Sequence, residues 1–348
     1  MDFSKWAVVG FKDDTGIGRM AQDIQKVLGV GQHLVAPSER MKTKTVNQQH
    51  EFLMTAKTDQ QALRQQMEGI EGIICLERLH WNDQLIPAAK SLGLKIVCVP
   101  MWEWFRGTDK TWQAADLFIC PNNKAVKILN TYGFDNAIHV TWPLDLEQLP
   151  ERKVDGQART FIHNAGLVDH DDRKGTSCVI KAFSKVRNPD LRLILRLQRE
   201  FPLTVDDPRI DLRIGNLEDP SELYKDGDTA IQPSRMEGLG FMVLEPVCCG
   251  MPVITTDAAP MNEYVRQPQM RASTQLIKKK SFAWRAAAIK HAYLTPPSIS
   301  SLARAIDWCS RNDLSSISKE NLSLRKTIYC ANLVKREWRQ VLTSFFNN

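Results

Sequence analysis

Short apolar runs recur along the chain, each followed by a polar turn and then by a segment whose apolar residues fall at helical spacing. The runs are Trp6–Phe11, Gln32–Ala36, Gly72–Leu76, Leu94–Pro100, Asp116–Cys120 and Ala137–Val140, then Thr160–Asn164, Leu191–Leu197, Asp211–Ile214, Asp228–Gln232 and Val253–Thr255. Continuous apolar runs of this length predict strands buried on both faces, as in parallel sheets. Helices are expected over 19–28, with Met20, Ile24, Val27 and Leu28 on one face, and over 59–67, with Asp59 as N-cap. Others follow at 123–132, after Lys174 with Val179, Ile180 and Phe183, over 301–311, and as one long helix over 319–345. Strands alternating with helices predict an α/β fold. Lys42–Thr58 reads as polar and irregular.

The 348 residues exceed one ordinary core and suit two α/β domains, 1–150 and 151–320, with 321–348 as a C-terminal helix. Leu149–Gly156 reads as the linker between them. Charge adds little: 46 Lys and Arg against 40 Asp and Glu give +6, which suits an anionic small ligand and tolerates an acidic acceptor or a membrane surface. A dedicated nucleic-acid binder is more basic than this. No run reaches membrane-spanning length and no signal peptide opens the chain, so a cytoplasmic protein, at most peripheral to a membrane, is expected. The eight cysteines lack paired metal-ligand spacing and read as reduced thiols; no metal is expected.

Candidate chemistry concentrates in Gln232–Glu263, QPSRMEGLGFMVLEPVCCGMPVITTDAAPMNE. Gly238 and Gly240 allow a tight turn and close approach to a ligand. A helix is expected to start near Phe241, and its unpaired first amides suit an anion such as phosphate. Glu245 lies in the first turns of that helix, where a carboxylate can accept two bonds from a vicinal diol. Glu237, before the glycines, can reach a sugar ring.

This stretch resembles the signature of retaining glycosyltransferases of the GT-B fold, the large family 4 (group 1) type, P-S-x-x-E-G-x-G-x-x-x-L-E-A-x-x-x-G-x-P-V-I, with Pro246 where Ala is usual. Arg173-Lys174-Gly175 with Ile180, Ala182 and Phe183 is similar to the family's R-K-G-x-x-x-x-I-x-A-F block. The resemblance implies two Rossmann-like domains facing across a cleft: an acceptor-side domain over 1–150, a nucleotide-sugar domain over 151–320, and a C-terminal helix crossing back to the first. It implies that Lys174 contacts the donor diphosphate with Arg173 beside it, that Glu237 holds the transferred sugar and Glu245 the ribose, and that Gly238, Leu239, Gly240 and Phe241 form the phosphate loop. Asn216 and Leu217 would line the nucleobase. Family members commonly carry an arginine just after the first strand of the second domain. Here that place reads Ala165, Gly166, Leu167 and Val168, so Arg235 or Arg19 would have to supply the charge.

In the first domain, Gly16, Gly18 and Arg19 resemble the family's G-x-G-R-like loop; a plain tight turn is the alternative. His80 lies where a family histidine contacts the transferred sugar, or else it packs on Trp81 or faces solvent. Trp102, Glu103 and Trp104, with Phe105, form either an acceptor platform of aromatic faces around a carboxylate or a hydrophobic plug. Lys278, Lys279, Lys280, Arg285 and Lys290 read as a solvated face or an anionic acceptor patch. Asp169, His170 and Asp171 spell Asp-x-Asp but read as a solvated acidic loop.

The expected reaction moves a sugar from a UDP- or GDP-sugar to an acceptor hydroxyl, with Glu237, Lys174 and His80 as catalytic candidates and no cofactor. The acceptor is a saccharide, a lipid-linked sugar or a small molecule. The alternatives are a modified base in DNA and a non-catalytic nucleotide-sugar binder.

Overall fold

In a computed structural model the chain is described except for residues 39–40, 169–171, 276–278, 281–288, 290 and 348; of 220, 279 and 280 only the backbone is described. Two compact units result, one of Met1–Asp145 with Tyr329–Asn348, the other of Leu146–Ile328.

The first unit carries β1 (Trp6–Phe11), α1 (Gly16–Asp23) running on as a π-helical stretch Ile24–Leu28, β2 (Gln32–Ala36), β3 (Glu51–Leu53), α2 (Gln60–Gln66), β4 (Gly72–Glu77), α3 (Leu85–Ser91), β5 (Lys95–Pro100), β6 (Leu117–Cys120), α4 (Asn123–Thr131) and β7 (Ala137–His139). Its sheet is wholly parallel in the order β3-β2-β1-β4-β5-β6-β7. Trp6–Val9 and Ile73–Leu76 are almost completely buried, as strands covered on both faces must be. Asp59 caps α2 through the Ala62 amide at 2.8 Å, and Asn122 caps α4 through the Ala125 amide at 3.0 Å. Two elements run against the sequence reading: β3 is a short edge strand inside the stretch read as irregular, and α3 was not expected.

The second unit carries β8 (Thr160–Gly166), α5 (Thr176–Phe183), β9 (Arg192–Leu197), β10 (Ile210–Ile214), β11 (Thr229–Gln232), α6 (Phe241–Cys249), β12 (Val253–Thr256), α7 (Met261–Tyr264), β13 (Arg271–Ala272), the hairpin strands β14 (Lys279–Lys280) and β15 (Tyr293–Leu294), α8 (Ile299–Arg311) and α9 (Ser315–Thr327). Its main sheet is also parallel, β10-β9-β8-β11-β12-β13. In place of a free linker, 149–156 packs onto this unit: Leu149 and Val154 are buried, the Arg152 amide donates to Cys249 O at 2.6 Å, and the Val154 amide donates to Ser318 Oγ at 2.9 Å.

The single long last helix read from the sequence is two helices. After α9 the chain turns and α10 (Ala331–Asn347) belongs to the first unit. Val334, Trp338 and Leu342, at successive i+4 positions, are completely buried. Trp338 Nε1 donates to Thr141 O at 2.8 Å, and its ring stands edge-on to Trp142.

Both strand orders reverse direction once, between β1 and β4 in the first sheet and between β8 and β11 in the second. At such a switch point the loops leaving the two strands diverge and open a crevice at their C-terminal ends, where α/β sheets bind ligands.

Candidate active site

At the switch point of the second sheet, the loop after β8 carries Arg173 and Lys174, and the loop after β11 carries Arg235, Glu237 and the two glycines. The loops are fastened together. The Arg235 amide donates to Arg173 O at 2.8 Å. Gly175 has φ +74° and sits so close to Pro233 that a Cβ there would lie 2.5 Å from its carbonyl oxygen. Lys174 Nζ reaches Glu237 Oε1 at 2.6 Å. Burial alone would raise the Glu237 carboxyl, but the charges of Lys174 and then Arg173 outweigh it and hold it below the ordinary carboxylate value.

Gly240, at φ +92°, turns the chain into α6 and has no side chain with which to cap it. Tyr264 Oη pins the loop by donating to Leu239 O at 2.7 Å. Gly238, Leu239 and Gly240 are buried and Phe241 is half-buried. Pro246 lies inside α6, where its missing N–H forfeits one intrahelical bond. Glu245, one residue earlier, is buried and accepts from Tyr224 Oη at 2.7 Å. The opposite holds at α5: Asp172 Oδ1 accepts from the Thr176 amide at 2.7 Å and Oδ2 from the Ser177 amide at 3.1 Å, so a protein carboxylate already occupies that helix start. A ligand anion therefore has the α6 start to meet, with Lys174 and Glu237 on the loops beside it.

Arg235 turns its guanidinium to Asp172, Nη2 to Oδ2 at 2.9 Å. Arg19, in the first unit, lies against the buried Asp23, Nε to Oδ1 at 3.4 Å. Both residues that the sequence offers as replacements for the missing arginine thus engage a protein carboxylate. Asn216 is exposed and accepts from Gln198 Nε2 at 3.1 Å, and Leu217 next to it is half-buried.

In the first unit, Gly16 and Gly18 open α1. Thr15 Oγ1 accepts from the Gly18 amide at 3.3 Å, and a Cβ on Gly18 would fall 2.2 Å from Asp13 O, so the turn requires that glycine. Glu77 closes β4 with φ +65°, a conformation costly for a residue with a side chain, and throws the chain into 78–81. The His80 residue there is exposed, yet neighbouring protein atoms displace enough water from its imidazole to hold it, with Arg78 next, below its ordinary value. Trp81 sits under the Arg78 guanidinium, meets Phe11 edge-on and donates to Leu76 O at 2.9 Å. The aromatic platform is largely a plug. Trp102 is completely buried with the Lys124 ammonium 3.7 Å from its ring centroid, Glu103 is buried, and only Trp104 is half-exposed. Phe105 is the hub of a cluster with Trp112, Phe118, Tyr132 and Phe134.

Among the described residues no three His, Cys, Asp or Glu side chains gather as a metal ion requires. Asp169, His170 and Asp171 lie outside the described residues, as do Lys278, Arg285 and Lys290; of Lys279 and Lys280 only the backbone is described. No described helix is long and apolar enough to cross a membrane.

Asp172, Tyr224 and His163 escaped the sequence reading. Asp172 reaches the Thr176 and Ser177 amides from four and five residues ahead, outside the N-cap position held by Gly175, so the usual capping spacing does not announce it. Tyr224 and His163 act through partners distant in sequence, and nothing near them announces it.

Residues 213–321 match the family described as "Glycosyl transferases group 1". The comparison with curated proteins found no match. Among solved structures, the chain resembles the apo form of lipopolysaccharide outer core galactosyltransferase WaaB (13% identity, 97% of this chain and 99% of that one, TM-score 0.64). It also resembles sucrose-phosphate synthase from Thermosynechococcus elongatus (12%, 98% and 99%, TM-score 0.66). A third is an α-glucosyltransferase solved with UDP and a 13-mer DNA containing an HMU base (9%, 97% and 99%, TM-score 0.59). The architecture, two parallel-sheet Rossmann-like units, is the GT-B fold these proteins share, and with the group 1 match it supports a glycosyltransferase enzyme.

Proposed function

We propose that the protein is a retaining glycosyltransferase that moves a sugar from a UDP- or GDP-sugar to an acceptor hydroxyl. The observation that carries this is the meeting of Lys174 and Glu237 beside the uncapped start of α6 at the switch point of the second sheet. In this reading Lys174 and the first amides of α6 stabilise the charge that develops on the diphosphate as the sugar–phosphate bond breaks. Glu237 accepts from hydroxyls of the transferred sugar, and Glu245, oriented by Tyr224, accepts from the ribose. The acceptor hydroxyl attacks from the face the diphosphate leaves, and the diphosphate takes the hydroxyl proton. The anomeric configuration is then retained with no protein nucleophile, and the reading calls for no cofactor.

A saccharide, a lipid-linked sugar or a small-molecule alcohol is the acceptor in the main reading. The likeness to a DNA-bound glucosyltransferase favours a modified base in DNA as the second. The free thiols and the nucleotide donor suit a cytoplasmic protein. Because both replacement arginines face protein carboxylates, a non-catalytic nucleotide-sugar binder is the reading to test against. Incubation with a panel of UDP- and GDP-sugars, with and without acceptors, should release free nucleoside diphosphate. Binding without turnover across the panel would select the binder.

A further inference from the structure

The Lys174 ammonium meets Glu237, and neighbours on both loops set its position. Asp172 has φ +44°, one of two residues other than glycine in the left-handed region among the described residues, the other being Glu77. Such strain persists only where surrounding contacts enforce it. Here four do. Asp172 Oδ1 takes the Thr176 amide, and Oδ2 takes the Ser177 amide, Ser177 Oγ at 2.5 Å and Arg235 Nη2 at 2.9 Å. Thr176 is itself fixed: its hydroxyl donates to His163 Nε2 at 3.0 Å, while His163 Nδ1 donates to Ile231 O at 2.6 Å. That tautomer follows because a carbonyl only accepts. The Arg235 backbone closes the frame on Arg173 O. The Lys174 turn is therefore held at both ends, by α5 through Asp172 and by the loop after β11 through Arg235.

We infer that Asp172 and Arg235 are positioning residues that set Lys174 for the donor diphosphate, with Arg235 neutralising Asp172 and not itself serving as a phosphate ligand. This rests on the donor-site reading above. The electrostatics explain why both are needed. An anionic carboxylate two residues from a phosphate-binding lysine would repel the donor and compete for the ammonium. A guanidinium at 2.9 Å cancels that charge while leaving the carboxylate's bonds to the α5 amides intact.

The test is titration of UDP and of GDP into the full chain by calorimetry. Asp172→Asn and Arg235→Gln should each weaken the better nucleotide about tenfold, whereas Arg235→Lys, which keeps the charge, should stay within about threefold. In a Lys174→Gln background the first two changes should alter affinity by less than about twofold, since they act through Lys174. Equal losses with and without Lys174, or a lysine at 235 no better than glutamine, would overturn the inference and make the pair merely structural. Should Asp172→Asn not fold, Arg235→Gln with and without Lys174 decides; should Lys174→Gln bind too weakly to titrate, Asp172→Asn decides, a loss supporting the inference and an affinity unchanged or improved, as an Arg235 released to the phosphate would give, overturning it. A wild-type chain that binds neither nucleotide would instead sink the donor-site reading itself.

Discussion

Lys174 Nζ and Glu237 Oε1 stand 2.6 Å apart with 17% and 8% of their side chains exposed, so the two charges balance each other largely out of water. Removing one partner leaves the other uncompensated, which costs about 3–5 kcal/mol for a fully buried pair. Lys174→Met should therefore destabilise the fold, less than that full amount given the residual exposure, and also lower turnover by about 10²–10³-fold as the diphosphate loses its cation. Glu237→Ala should lower kcat more than it raises KM for the donor, because its partner in this reading is the transferred sugar. Urea unfolding and steady-state kinetics on the same preparations separate the two effects; unchanged turnover in Glu237→Ala would remove it from the site.

Tyr224 offers a cleaner probe, since Tyr224→Phe deletes one hydroxyl from a completely buried ring. Its bond to Glu245 at 2.7 Å is a hydrogen bond to a carboxylate, worth about 1.5–3 kcal/mol. If Glu245 holds the ribose, the phenylalanine variant should raise KM for the donor several-fold with kcat nearly unchanged. A proportionate fall in kcat would place Glu245 nearer the bond being broken.

The parts of this molecule legible in the sequence are those written in local pattern. Buried parallel strands appear as continuous apolar runs, and the Gly238–Gly240 turn and the apolar α6 announce one another. The long β8 and α5 follow from their own residues too. What was not legible depends on partners far along the chain. Nothing in Ile328–Cys330, which has neither glycine nor proline, shows that α9 stops and α10 starts anew; only packing of Val334, Trp338 and Leu342 against the first unit requires it. The edge strand β3 has three residues and no apolar periodicity. Trp102 reads equally as a ligand platform or a core residue until its burial is seen, and nothing beside Arg235 in the sequence shows that its guanidinium meets Asp172, 63 residues away.

Two glycines at positive φ make different predictions. A Cβ on Gly240 would meet Tyr264 at 3.4 Å, an ordinary contact, so Gly240→Ala bears only the cost of its φ of +92°, about 1–2 kcal/mol. A Cβ on Gly175 would lie 2.5 Å from a backbone oxygen of Pro233, so the Lys174 turn must shift as well. Gly175→Ala should be the more destabilising in thermal unfolding and should abolish nucleotide binding, whereas Gly240→Ala weakens it. Equal effects would mean that the loops can part without loss.

His163 should make stability depend on mildly acidic pH. Burial, above all, lowers its imidazole from the ordinary 6.5 to about 4, and the same holds for His33, which lies within the first unit against Gly10 O. The folded protein resists protonation that the unfolded chain accepts, so the unfolded state binds more protons between these two values. Stability is thus fully present above about pH 6.5 and falls as pH drops toward about 4, below which this contribution levels off. A shift of this size corresponds to about 3 kcal/mol per histidine. His163→Gln keeps a donor and an acceptor but cannot titrate, so urea unfolding at a series of pH values should show a shallower slope over that window, with the remaining dependence belonging to His33 and the other groups held below their ordinary values, His80 and Glu237 among them. An unchanged slope would mean that Ile231 and Thr176 hold an imidazole already charged, and that the Thr176 hydroxyl accepts from it.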